Sequence, residues 1–73
     1  MITVYTKPDC GQCMMTVRVL ESKGIDFRTI DLTDDAEALA TVKAMGYAQA
    51  PVVVTGDDHW AGFRPDKLMK LVR

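Results

Sequence analysis

The 73-residue chain lacks any long apolar run at its start: Thr6, Lys7, Pro8 and Asp9 interrupt the N-terminal stretch before one can develop. That speaks against a signal-peptide core and a membrane span, and the expected location is the cytoplasm. There is no excess of charge of either sign, with 9 Lys and Arg against 10 Asp and Glu and no basic stripe. A phosphate backbone would find little to neutralise it, so nucleic acid is not an expected partner. A single histidine, His59, provides no imidazole set for a metal and reads as a solvent-facing hairpin residue. With only two cysteines, Cys10 and Cys13, the chain is no disulfide scaffold, and a bridge across so short a loop stabilises little. In a reducing compartment such a pair is more naturally catalytic or metal-binding than structural.

What is present suits one folded domain over residues 1–73, with 48% hydrophobic and 26% charged residues and no repeat or linker-like stretch. A monomer is expected. Ile2 to Thr6 alternates apolar and polar residues with β-branched and aromatic types, which predicts a strand. After Pro8, Gly11 to Lys23 is helix-compatible, with Met14, Val17 and Leu20 on one face and Gly24 as the stop. Ile25 to Leu32 reads as a second strand, its apolar phase slipping as tolerated when both sheet faces are covered. Asp34 and Glu37 form a capping-box pattern ahead of Ala36, Leu39, Val42 and Met45 at helical spacing, with Gly46 ending the helix. Val52 to Val54 and Asp58 to Ala61 flank a Gly56-Asp57 turn and predict an antiparallel hairpin. Pro65 and Asp66 suit a helix start, followed by Leu68, Met69, Leu71 and Val72 as an apolar side. The order β-α-β-α-β-β-α, with a right-handed first crossover, implies an α/β fold: a four-stranded mixed sheet with helices on both faces, the minimal thioredoxin-like arrangement.

The cysteines carry the chemistry. Residues three apart in a first helical turn have Cβ atoms about 5–6 Å apart, near the roughly 3.5–4.5 Å of a disulfide. Cys10 falls at the helix start, where unpaired amides favour thiolate over thiol, and is the expected nucleophile; Cys13, deeper in the helix, is the expected resolving thiol. A C-x-x-C at the turn of a β-α-β unit points to redox chemistry. Lys7, close in sequence, either adds positive potential or is a solubilising charge. Gln12 is either exposed filler or a tuning and docking residue. Met14, Met15 and Met45 read as gap-fillers or core margin rather than copper ligands. No cofactor is called for.

Three separated blocks carry a family resemblance: Val4-Tyr5-Thr6-Lys7-Pro8 leading into Cys10-Gly11-Gln12-Cys13, Gly46 through Val54, and His59 through Pro65. In these the chain resembles the NrdH-redoxins, glutaredoxin-like proteins that behave as thioredoxins. The resemblance implies reduction by an NADPH-dependent thioredoxin reductase and electron delivery to class Ib ribonucleotide reductase. It also implies a cis Ala50-Pro51 bond beside the cysteines, where base rates alone favour trans, with the preceding backbone free to pair with an extended substrate. The chain departs from the family pattern at Gly11, where Val is more usual, and at Ala61, where Ser is common; both departures bear on reduction potential. Glutaredoxins hold the glutathione carboxylate with a Gly-Gly-x-Asp segment. Here Ala61 to Asp66 places bulky Phe63 and donor-less Pro65 there, so poor glutathione binding is expected. Trp60 either covers the hairpin face or, with Phe63 and Arg64, meets a partner.

Two other readings compete. A copper chaperone has this length and a C-x-x-C after its first strand, and Cu(I) suits two thiolates. Such chaperones, however, carry Met where Pro8 stands and end on a strand. A glutathione-dependent glutaredoxin, or an iron–sulfur carrier built with glutathione, needs the site that Phe63 and Pro65 spoil.

Overall fold

A computed structural model describes residues 2–71. The elements are β1 (Ile2–Thr6), α1 (Gly11–Ser22), β2 (Phe27–Asp31), α2 (Ala36–Ala44), β3 (Val52–Val54), β4 (His59–Ala61) and α3 (Pro65–Leu68). They form one sheet in the order β2-β1-β3-β4. The β1–β2 pair is parallel, as a helical crossover requires, and the other two pairs are antiparallel. The expected β-α-β-α-β-β-α order and mixed four-stranded sheet are thus observed. No helix among the described residues is long and apolar enough to cross a membrane.

Register explains the core. Val4 pairs with Val53 and Val53 with Trp60, so one row of side chains crosses three strands on a single face. Leu20 of α1, Leu68 of α3 and Ile25 close over that row. Leu20 and Leu68 are fully buried, and truncating either to Ala should cost about 2–5 kcal/mol. The second helix adds nothing to this cluster. It turns Ala38 and Val42 inward toward the opposite face, where Val52 is fully buried.

Several boundaries and phases differ from expectation, each for a local reason. The inward face of α1 is Cys13, Thr16 and Leu20 rather than Met14, Val17 and Leu20. Thr16 can be buried because its hydroxyl donates to the Gln12 carbonyl at 2.9 Å, and this rotates Met14 outward to 58% exposure. Helix α2 is capped by Asp35, not Asp34: the Asp35 carboxylate accepts from the Ala38 N–H at 2.9 Å. Asp34 is held one residue earlier, its N–H donating to the Asp31 carbonyl while the Asp31 carboxylate takes the Thr33 N–H. Leu39 accordingly faces out. The second strand begins at Phe27 because the Ile25 N–H is used to close α1, donating to the Leu20 carbonyl while Gly24 donates to Glu21. It is an edge strand with Arg28 and Thr29 exposed, not one covered on both faces. The last helix is a single turn, and Met69 is exposed rather than apolar lining; Val72 lies outside the described residues.

Candidate active site

Cys10 is the N-cap of α1 and adopts an extended backbone, and its Sγ accepts the Cys13 N–H at 3.1 Å. Asp9 just before it takes a left-handed conformation at φ 57°, a turn that Asp tolerates better than most residues and that swings the chain from strand to helix. The two cysteines are joined in a disulfide, with Cα atoms 5.2 Å apart. The expected asymmetry is present but muted. Cys10 is 9% exposed and Cys13 4%, so the first sulfur is shielded more than a loop-to-helix junction suggests. The reason is packing: Ala50 clusters with both cysteines, and Leu32 rests against them.

The dithiol opens on a recess of about 260 Å³ that Lys7, Met14, Val17 and Thr29 also line. Beside it runs a larger groove of about 530 Å³, mainly apolar, whose walls include Leu32, Leu39, Val42, Tyr47 and Ala50, with Lys7 and Lys43 among its lining residues. Lys7 therefore lines both hollows. The Ala50–Pro51 peptide is cis, as the resemblance implies. Among the described residues neither the N–H nor the C=O of Ala50 has a backbone partner.

Gln12 is more than filler: its Oε1 accepts the Phe63 N–H at 3.1 Å. That bond brings the loop after β4 to the dithiol turn, with the Phe63 side chain packed against the core. Of the two readings of Trp60, its burial fits the covering one and leaves little of the ring for a partner to meet. The residue is 4% exposed, sits in the Val4–Val53 row, and carries Lys67 Nζ 5.4 Å above its ring. Arg64 is exposed and turned to its own helix, donating to both oxygens of Asp66 at 3.1 and 2.9 Å. The paired guanidinium holds the Asp66 carboxyl below the usual carboxylate range. His59 is exposed, as expected, and its Nδ1 shares a 2.6 Å hydrogen bond with the Tyr47 hydroxyl.

A family model described as Glutaredoxin matches residues 2–60. The glutaredoxin-like protein NrdH of Escherichia coli strain K12 is 46% identical over 70 residues, covering 96% of this chain and 86% of the relative. The NrdH of Lactococcus lactis subsp. cremoris is 39% identical over 71 residues, covering 97% and 99%. The chain belongs to the NrdH-type glutaredoxin-like proteins. In three dimensions, the solved NrdH-redoxin of Escherichia coli superposes with a TM-score of 0.95 at 44% identity, covering 99% of this chain and 95% of that one. The NrdH-type fold is thioredoxin-like, and this member is a thiol-disulfide oxidoreductase with Cys10 and Cys13 as its redox pair.

The sequence reading missed Thr29, Leu32 and Met14 around the sulfurs and Tyr47, Leu39 and Val42 in the groove. Met14 carried a signal as the residue after Cys13, and Tyr47 as a member of the Gly46-to-Val54 block. The others reach the site only through the packing of the sheet and α2.

Proposed function

We propose that the protein is a cytoplasmic, monomeric electron carrier that takes two electrons from a thioredoxin reductase and delivers them to class Ib ribonucleotide reductase. The observation that carries the reading is the Cys13 N–H directed at Cys10 Sγ. Once the disulfide is reduced, that amide and the helix start favour negative charge on the outer sulfur. The Cys10 thiolate attacks one sulfur of the client disulfide. A mixed disulfide forms and the client's other sulfur leaves as a thiolate, which takes a proton from water. The Cys13 thiolate then attacks Cys10 Sγ, breaking the mixed disulfide and releasing the client's second thiolate. The product is the Cys10–Cys13 disulfide, which the reductase returns to the dithiol with electrons from NADPH.

A protein client fits the surroundings. The apolar groove meets the dithiol at Ala50, whose free backbone edge offers an extended segment its hydrogen bonds. Glutathione fits less well, since Phe63 N–H is already bonded to Gln12 and Pro65 has no N–H to give. The solved Escherichia coli relative is described as glutaredoxin-like with a thioredoxin-like activity profile, and the same preference is proposed here. The test is coupled NADPH oxidation, with thioredoxin reductase and a protein disulfide in one arm and glutathione with its own reductase in the other. Rapid turnover is expected in the first arm; turnover confined to the second would overturn the reading. Substituting class Ib ribonucleotide reductase for the generic protein disulfide tests the client.

A further inference from the structure

Gln12 stands between the two cysteines, yet its side chain reaches a residue 51 positions away, accepting the Phe63 N–H. The neighbouring Gly62 N–H donates to the Pro51 carbonyl at 2.7 Å, and Ala50 packs against both sulfurs. Three distant segments thus form a closed ring: the dithiol turn, the loop after β4, and the Ala50–Pro51 backbone. Two of its links are backbone bonding or packing; the Gln12 carboxamide is the one link made by an exposed side chain. Gly62 sits at φ 85°, and a Cβ built there would lie 3.6 Å from Gln12 Oε1. The loop and the carboxamide are therefore in close register.

We propose that Gln12 is a positioning residue for protein substrates: by bracing the Gly62–Phe63 loop it fixes the Ala50 backbone edge relative to Cys10, so that a docked segment presents its disulfide in line. The inference rests on the reading that the client is a protein. A small disulfide that only meets the sulfur gains nothing from the brace, so the two substrate types should separate.

The test is single-turnover oxidation of the pre-reduced protein by insulin and by bis(2-hydroxyethyl) disulfide. Gln12→Leu keeps bulk but loses the acceptor, and Gln12→Asn is one methylene short of it. Each should lower the ratio of the insulin rate to the small-disulfide rate about tenfold, the effect of one lost hydrogen bond. Amide exchange of Phe63, followed by NMR, should quicken in both. Gln12→Glu keeps an acceptor oxygen and should restore both readouts. An unchanged ratio in the Leu and Asn variants, or insulin and small-disulfide rates falling together, would overturn the inference. Loss of the wild-type protein's turnover with thioredoxin reductase would instead overturn the proposed function, because the single-turnover comparison uses no reductase.

Discussion

The two crossover helices are built alike and serve different ends. Each begins on an extended N-cap whose side chain accepts the N–H three residues on: Cys10 Sγ from Cys13 at 3.1 Å, Asp35 Oδ1 from Ala38 at 2.9 Å. Each ends with glycine at positive φ, Gly24 or Gly46, closing the same pair of terminal hydrogen bonds. At α2 the acceptor is a side-chain oxygen with no covalent chemistry to do, and its work is finished when the helix forms. At α1 the acceptor is a sulfur that can trade its covalent partner, so an ordinary capping position becomes a reactive one.

The largest effect should come from breaking that difference directly. Cys10→Ser keeps a good cap and removes the sulfur. Disulfide reductase activity should fall by about 10³-fold or more, while the thermal midpoint stays close to that of the reduced wild type. Cys13→Ser leaves the attacking sulfur without its resolver and should accumulate a one-to-one mixed disulfide with a protein substrate, visible by intact mass. If that variant cycled normally, the division of labour between the sulfurs would be wrong. The converse change, Asp35→Ala, should cost roughly 1 kcal/mol in urea unfolding and leave the reductase rate within about twofold. Gly11→Ala is smaller still. A Cβ there meets nothing within 4 Å, and the stiffer backbone should add at most about 1 kcal/mol of stability.

The smallest effect concerns acid. Asp66 and Asp58 are held below the ordinary carboxylate value of 3.8, the first mainly by hydrogen bonding to Arg64, the second mainly by the His59 N–H and Lys67. A lowered folded value means that stability is fully present above 3.8 and is lost as pH falls from there through the folded value. Asp66→Asn should therefore shrink the drop in thermal midpoint between pH 6 and pH 3, and only slightly, because the pair is exposed. A midpoint that falls as steeply as in the wild type would show the pair contributes nothing.

Much of this was legible in the residues. Cysteine spacing, the helix-stop glycines and the valine run located the dithiol, both crossovers and the central strands, since each rests on local geometry. Where local patterns competed, the reading slipped. Asp34 and Asp35 are chemically equivalent caps, and only the Asp31 turn decides between them. Met14 looked like a core residue because nothing in the pattern shows that Thr16 can satisfy its own hydroxyl within the helix. Trp60 and Gln12 each admitted two readings for the same reason: one is absorbed by a row of side chains crossing three strands, the other makes a contact 51 residues away. Contacts of that range follow from topology, not from neighbours.

The sheet order has one more consequence. Its two rims are β2, which shows Arg28 to solvent, and β4, only three residues long. A charged rim and a stub both make poor templates for a strand from another molecule. A protein whose work is brief encounter and release has most to lose from lingering self-association, and its periphery discourages that.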